Sequence, residues 1–344
     1  MTKYVIKRIL LAVVTAFIIL SLTFIFMKML PISKPAGLPS VVFGFYQKQV
    51  ALGYVKAFSE PNPAYGELLW QYDYGFGTYY YYSTPVMSQY GNWLRNVFTK
   101  WDWGTSTDID PNVDAMSIIA GRLTYSLRIN IISVFISVPL GILFGIIAAL
   151  KKNKLTDHFI STIVMVFISV PSFVVISLLM LWLCFSNNWL PMQWPSETAS
   201  TSTKVAGYVI PVLSLCFGSI AGYTRFTRAE LCEVMSSDYL LLARTKGLTK
   251  TQSIIRHALR NAMVPILPSI ISSFISVLGG SMILEQLYAI PGIGSLFIDA
   301  INLKDYNVLM VDMAVFTLIS LLAGVLVDLS YGFIDPRIRM GAKN

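Results

Sequence analysis

Hydrophobic residues along this chain are grouped into six long runs, and the shorter stretches between the runs contain most of the charged residues. A helix needs about 20 apolar residues to cross the hydrocarbon core of a bilayer. Each run reaches about that length, so the pattern predicts about six transmembrane helices. The predicted spans are Ile9–Leu30, Ile129–Leu150, Phe159–Phe185, Val205–Tyr223, Val264–Leu284 and Val308–Tyr331.

The composition also indicates a membrane protein. Of the 344 residues, 55% are hydrophobic and 13% are charged, whereas about 25% are charged in an average soluble domain. The expected fold class is therefore an all-α integral membrane protein. Lys3, Lys7 and Arg8 precede the first run, which could also be a secretory signal peptide. Its length, and the absence of a small-x-small cleavage site before Pro31, favour a retained span.

Basic residues indicate the orientation in the membrane. Most of the 26 Lys and Arg residues lie in segments on the same side as the N-terminus, and cytoplasmic loops are the ones enriched in Lys and Arg. Both termini are therefore expected in the cytoplasm. The net charge of +8 then reflects topology, and no nucleic-acid partner is expected.

These predictions divide the chain into four parts. Residues 1–30 form the cytoplasmic N-terminus and first span, and 31–122 form a large extracytoplasmic insertion between the first two spans. Residues 123–334 form the transmembrane core, which includes a cytoplasmic loop, 224–263. Residues 335–344 form a cytoplasmic tail.

The extracytoplasmic segment contains a predicted amphipathic helix, Pro85–Trp101, for which Thr84 is the candidate cap. Its aromatic face suits either the headgroup region of the membrane or an extracytoplasmic partner protein, and both interpretations stay open. Trp93 and Trp101 are the candidate contact residues. The whole face consists of Val86, Tyr90, Trp93, Leu94, Val97, Phe98 and Trp101.

The loop 224–263 predicts two helices joined by a turn. The first helix is expected to start after Ser236 or Ser237 as its cap, with Asp238 in its first turn. It is expected to end near Arg244 and Lys246, because cations are favoured at the negative end of a helix.

The turn itself is predicted at Gly247, which suits the left-handed position just past a helix end, with Leu248 as its hydrophobic partner. Thr249 and Gln252 form a capping-box pattern for the second helix, and Pro265 marks where that helix is expected to bend into the membrane. A rigid helix between two spans can transmit force from a partner. A basic loop can equally rest on anionic lipid, and the residues alone leave both open.

Two stretches of this loop resemble the ABC importer permeases, and more narrowly the dipeptide and oligopeptide group. They are Ala243-Arg-Thr-Lys-Gly247-Leu248 and Arg256-His-Ala-Leu-Arg-Asn261-Ala. The family pattern for the first is A-R-A-K-G-L, from which only Thr245 departs. Further motifs agree in order along the chain, except within residues 35–88. They are Gln89-Tyr-Gly-Asn-Trp93-Leu, Asp102-Trp-Gly104-Thr105-Ser106, Pro291-Gly292-Ile-Gly294, Asp305-Tyr306, Val327-Asp328-Leu and Asp335-Pro336-Arg337-Ile-Arg339.

The resemblance implies a type I ABC importer permease of the B-type, in a bacterial inner or plasma membrane. It implies a second homologous permease, two ATPase subunits that bind ATP and Mg, and an extracytoplasmic peptide-binding protein as partners. It also implies that the loop forms the helix that couples to the ATPase. The residues expected to make that contact are Asp238, Tyr239, Ala243, Arg244, Lys246, Gly247 and Leu248.

No catalytic, cofactor or metal site is expected in the chain. It has no G-x-x-x-x-G-K-[ST] motif, so ATP hydrolysis is assigned to partner subunits. Its three cysteines and two histidines show no ligand spacing.

Three acids, Glu285, Asp312 and Asp328, lie in or beside predicted spans, where an ionisable side chain is a functional candidate. They permit an alternative function, an ion-coupled secondary transporter, although capping or interfacial pairing explains them as well. A further alternative is a related permease for nickel or another small ligand. The sequence leaves the residues of the substrate path unidentified.

Overall fold

The computed structural model describes residues 2–30, 38–73, 75, 77–276 and 281–334. Within them, four helices are long and apolar enough to cross a membrane. They correspond to the first, second, fourth and sixth predicted spans. Their bounds are α1 Thr2–Lys28, α4 Ala115–Leu150, α7 Thr201–Val234 and α13 Tyr306–Ile334.

The third predicted span is a broken helix. Helix α5, Leu155–Ser169, and helix α6, Ser172–Leu179, meet at an angle of 96°, and a π-helical turn, Met180–Ser186, extends α6. Val170, the residue before Pro171, is extended with φ −92° and ψ 117°. A proline disfavours the helical conformation of the residue before it, so the break falls where the sequence places Pro171.

The fifth predicted span, Val264–Leu284, is divided between two helices. Helix α10, Leu259–Ser276, continues through Pro265 and Pro268 without ending, and helix α11 covers Met282–Leu287. Residues 277–280 lie outside the described part. The described residues therefore contain four spanning helices, or five when the broken pair is counted as one span.

Two compact units make up the chain. The first, the core unit, contains residues 1–10, 125–295 and 319–344. The second, the outer unit, contains residues 11–124 and 296–318. The last residues of the chain, 335–344, lie outside the described part, including the predicted motif at Asp335–Arg339.

The outer unit contains a small antiparallel sheet that the sequence analysis did not predict. Its strands are β1 Val55–Phe58, β2 Leu68–Asp73 and β3 Thr78–Ser83, in the order β1-β3-β2. Aromatic residues favour strands, and the tyrosine run falls on the central strand. Helix α2, Pro39–Ala51, packs Tyr46 on Trp70 with ring centroids 4.9 Å apart. Burial raises the pKa of Tyr46 to about 12.

The predicted amphipathic helix is present as α3, Val86–Lys100, and its buried residues coincide only in part with the predicted aromatic face. Trp93 is 4% exposed and Trp101, just past the helix end, is 62% exposed. The buried face includes the polar Gln89 and Asn96, whose side-chain nitrogens donate to main-chain carbonyls, the amide of Asn96 to Leu52 over 3.1 Å. These hydrogen bonds make burial of the two polar side chains favourable.

Thr84 does not cap α3, which corrects the sequence prediction. Its hydroxyl donates to the carbonyl of Tyr54 over 3.0 Å, and Pro85 occupies the capping position without a side-chain bond. The carbonyl of Tyr54, just before β1, also accepts the backbone N–H of Thr84 over 3.0 Å, and a sequence pattern cannot reveal so distant a partner.

Asp305 joins two sequence motifs that are about 200 residues apart. Its carboxylate is buried and accepts bonds from the hydroxyl of Ser106 over 2.5 Å and from the backbone N–H groups of Thr107, Asp108 and Ile109. A buried carboxylate is tolerated when such donors replace water. This contact brings the Asp102–Ser106 and Asp305-Tyr306 motifs together within the outer unit. Two short helices, α11 and α12 (Ile293–Asn302), precede α13 in the chain.

Candidate functional site

The first helix of the loop, α8, covers Asp238–Thr245 and starts at the predicted residue. The predicted caps act on the preceding helix instead. The hydroxyls of Ser236 and Ser237 donate to the carbonyls of Glu233 and Val234. Because the last carbonyls of a helix have no partner within it, serines placed just after α7 satisfy them first.

Gly247 follows α8 with φ +92°, the left-handed conformation that the sequence predicts. Among the described residues, no heavy atom beyond the two chain neighbours would lie within 4 Å of a Cβ added at Gly247. The requirement for glycine is therefore one of backbone conformation alone and involves no crowding.

A capping box opens the second helix, as predicted. The N–H of Thr249 donates to Oε1 of Gln252 over 3.2 Å, and the N–H of Gln252 donates to Oγ1 of Thr249 over 3.3 Å. Helix α9, Lys250–Ser253, then continues through a π-helical turn, Ile254–Ala258, into α10. The chain thus passes from the turn into α10 without an unstructured link.

A hydrophobic cluster anchors this loop within the core unit. Leu240 is the anchor on α8, and it packs with residues of α4, α7 and the second helix. The buried members are Ala149, Leu231, Leu240, Ile254, Ala258 and Ala262. A fully buried leucine stabilises its position by about 1.5–3 kcal/mol. The arrangement favours a rigid element over a basic loop resting on lipid.

The opposite face of α8 is open. Tyr239 is 41% exposed and Leu242 is 57% exposed, and Asp238 and Lys246 are also exposed. Leu248 is half-buried, and the side chains of Ala243 and Arg244 lie outside the described residues. Sequence reasoning did not single out Leu242, although its spacing of three residues from Tyr239 places both on one helix face. Together they form an apolar centre with charges around it, suited to a protein partner.

An ion pair that the sequence analysis missed joins α5 to α7. Asp157 is buried, and its two carboxylate oxygens accept from Nε and Nη2 of Arg228 over 2.5 and 2.8 Å. The N–H of Asn153 also donates to this carboxylate over 2.9 Å. Arg228 lies in the last two turns of α7, next to the start of the loop. The only available indication was an acid in the first turn of one helix and a cation near the end of another.

Glu285 is held by neutral donors. Its buried carboxylate accepts from the hydroxyl of Ser126 over 2.7 Å and from the N–H groups of Ser281 and Ser295 over 3.3 and 3.0 Å. A Cβ at Gly292 would overlap both this carboxylate and the Ser126 hydroxyl. The Pro-Gly-Ile-Gly motif therefore allows the backbone to approach the carboxylate closely.

The other two acids near span ends are placed differently. Asp328 pairs with Arg8 over 2.9 Å, so interfacial pairing accounts for it, as capping does for Glu285. Asp312 is fully buried. Among the described residues, no group of three or more His, Cys, Asp or Glu side chains is placed to hold a metal ion.

The chain is similar to a known protein family and to several transport proteins. A family model described as "Binding-protein-dependent transport system inner membrane component" matches residues 141–340. The chain is 33% identical to the dipeptide transport system permease protein DppB of Lactococcus lactis subsp. cremoris (strain MG1363), over 99% of this chain and 100% of that protein. It is 30% identical to DppB of Bacillus subtilis (strain 168), over 100% of both chains. It is 28% identical to the oligopeptide transport system permease protein OppB of Escherichia coli (strain K12), over 98% of this chain and 100% of that protein.

Proposed function

This chain belongs to the family of binding-protein-dependent transport system inner membrane components, and we propose that it forms half of the path along which an ABC importer moves peptides into the cell. It is a multi-pass permease subunit and not the ATPase of its system. The observation that carries the peptide cargo is its similarity, over almost its whole length, to dipeptide and oligopeptide permeases.

The loop around Gly247 is the proposed contact with the ATPase subunits. Support comes from the anchored, rigid helix α8 with an exposed apolar face. A rigid element can pass a displacement of the ATPase to the spans, whereas a flexible loop would absorb it. A second permease, two ATPase subunits that bind ATP and Mg, and an extracytoplasmic peptide-binding protein complete the proposed assembly, in the inner or plasma membrane of a bacterium.

ATP-dependent uptake by the reconstituted complex tests the cargo. Proteoliposomes would be offered radiolabelled peptides of two to five residues and, separately, nickel ions. We expect uptake of peptides and none of nickel. Nickel uptake alone would replace the cargo assignment, and uptake by this chain alone without ATP would instead establish the secondary-transporter alternative.

Cysteine labelling tests the proposed orientation. In a chain whose native cysteines are replaced, Lys151→Cys should stay unlabelled by an impermeant maleimide on intact cells, because the turn after α4 faces the cytoplasm. Lys100→Cys at the end of α3 should be labelled, because residues 31–122 face outwards. Both lysines are exposed, so accessibility depends on the side of the membrane. The reverse pattern, or labelling of both, contradicts the orientation.

The exposed end of α3 is the proposed contact with the membrane surface or the peptide-binding protein. Since Trp93 is buried and packs on Phe24 with centroids 4.9 Å apart, its role is to support the helix. Phe98 and Trp101 are exposed, and they are the residues proposed to make the contact.

Replacing Phe98 and Trp101 by Ser should lower uptake several-fold and leave basal ATP hydrolysis unchanged, since two exposed aromatic side chains are lost. Leu68→Ser is the matched control, an exposed apolar side chain on the sheet of the same unit. Equal uptake by the double variant and the wild type would rule out both contacts.

A further inference from the structure

A cleft of about 320 Å³ opens in the core unit beside the segment that leads into α7. Its volume lies at the lower end of the range for small-ligand sites, about 300–1,000 Å³. No feature of the coupling loop contributes to it. The side chains that matter here are Tyr125, Arg128, Trp194, Glu197, Lys204 and Tyr208.

Its position along the helices places the cleft on the membrane side opposite α8. Lys204 lies in the first turn of α7, and α8 follows the last residue of α7. The 34 residues of α7 extend about 50 Å at 1.5 Å per residue, more than a hydrocarbon core. Arg128 and Lys204 each directly precede an apolar run. The cleft therefore lies at the outer mouth of these spans if α8 is cytoplasmic.

One wall of the cleft is rigid before any ligand binds. The N–H of Trp194 donates to the carbonyl of Tyr288 over 2.8 Å, and Tyr288 is fully buried. Its hydroxyl donates to the carbonyl of Pro191 over 2.8 Å. Pro195 packs so closely on Gly207 that a Cβ there would overlap the proline ring. A fixed wall lowers the entropy cost of binding.

The lining combines opposite charges with aromatic rings. Arg128 and Lys204 are exposed cations. The hydroxyl of Tyr125 donates to Oε1 of Glu197 over 3.3 Å, which keeps that acceptor at the cleft. The rings of Trp194 and Tyr208 meet edge to face at 4.9 Å. Such a lining suits a zwitterion with an apolar body.

We propose that this cleft receives a peptide by its free termini at the entrance of the path, with Arg128 and Lys204 binding the carboxylate and Glu197 binding the ammonium group. Trp194 and Tyr208 pack against the peptide between its ends. This inference rests on the proposed peptide cargo, and it assigns to this chain a recognition of termini that is separate from that of any binding protein.

The test uses the assembled importer in proteoliposomes, with the concentration of peptide-loaded binding protein varied. One peptide is supplied with free ends, with an amidated C-terminus and with an acetylated N-terminus. The variants are Arg128→Gln, Lys204→Gln and Glu197→Gln. Lys151→Gln, at an exposed lysine in the turn after α4, is the control. The ratio of variant to wild type is taken for each peptide, so that the binding protein's own preference cancels.

We expect Arg128→Gln and Lys204→Gln each to raise the half-saturating concentration about tenfold for peptides with a free carboxylate, as loss of one charged hydrogen bond does. The amidated peptide should be unaffected. Glu197→Gln should raise the half-saturating concentration for peptides with a free N-terminus and leave that of the acetylated peptide unchanged. Arg128→Lys and Lys204→Arg keep the positive charge, so the half-saturating concentration for peptides with a free carboxylate should stay close to that of the wild type. That result would show that the effect of the Gln variants comes from the lost charge and not from misfolding.

Three results would overturn the proposal. If a variant raises the half-saturating concentration by the same factor for all three peptide forms, the cleft has a structural role. Ratios that change with the phosphatidylethanolamine content of the vesicle, and not with the peptide, would assign it to a lipid headgroup. If every variant has the same half-saturating concentration as the wild type for every peptide, no peptide terminus binds in the cleft. Failure of the proposed function is distinct, because then the wild type itself would take up no peptide.

Discussion

Gly247→Val is expected to abolish peptide uptake while the chain reaches the membrane in normal amount. Gly247 has φ +92°, and a β-branched residue resists positive φ by about 1–2 kcal/mol or more. Because an added Cβ meets no atom of the described residues within 4 Å, we expect the strain to be relieved by rotation of the backbone and not by unpacking. That rotation redirects the chain between Lys246 and Thr249 and displaces α8 from its ATPase partner.

The effect should be confined to coupling. The spans are encoded elsewhere, so insertion continues, but association with the ATPase subunits weakens. Crosslinks from a photoreactive group at Tyr239 should reach an ATPase subunit in the wild type and fade in the variant. Gly247→Asn provides a matched control, since asparagine is similar in size to valine and tolerates positive φ better. It should retain much of the uptake.

Two results would contradict the coupling assignment. One is normal uptake by Gly247→Val. The other is a wild type in which neither Tyr239 nor Leu242, both exposed on α8, ever crosslinks to an ATPase subunit. Family membership would survive either result, but the contact would have to be sought elsewhere on the cytoplasmic side.

Arg228→Met should destabilise the purified chain in detergent by about 3 kcal/mol. The substitution leaves the carboxylate of Asp157 buried without its cation, and loss of one partner of a buried pair costs about 3–5 kcal/mol. We expect the lower end of this energy range because the Arg228 side chain is 31% exposed, so the pair is partly screened by solvent. The free energy of unfolding in denaturant is the measurement. Arg225→Met, an exposed arginine one turn earlier on α7, should change it by less than about 0.5 kcal/mol.

A double variant separates the lost charge pair from lost packing. Asp157→Asn combined with Arg228→Gln removes both charges and keeps an acceptor for the N–H of Asn153. It should recover part of the stability lost in Arg228→Met, since no uncompensated charge remains. If the double variant is as unstable as the single one, packing by Arg228 is the dominant contribution and the electrostatic account is wrong.

Local features of the loop were predictable from the sequence. A left-handed glycine and a capping box depend on residues at most a few positions apart, so Gly247 and the reciprocal bonds of Thr249 and Gln252 follow from the pattern. The break at Pro171 is equally local. Long apolar runs also determined most of the spans, because the bilayer imposes their length whatever the fold.

Only the tertiary structure decided which distant residues meet. Asp157 and Arg228 are separated by 71 positions, and Ser126 and Glu285 by 159, so no periodicity links them. Burial of the polar side of α3 was not predicted, for the same reason. The spacing of apolar residues predicted a contact face formed by the aromatic side chains. Carbonyls supplied by neighbouring segments instead make burial of Gln89 and Asn96 favourable. Burial of a polar group depends on a partner's position in space, and the sequence of one helix does not contain that information.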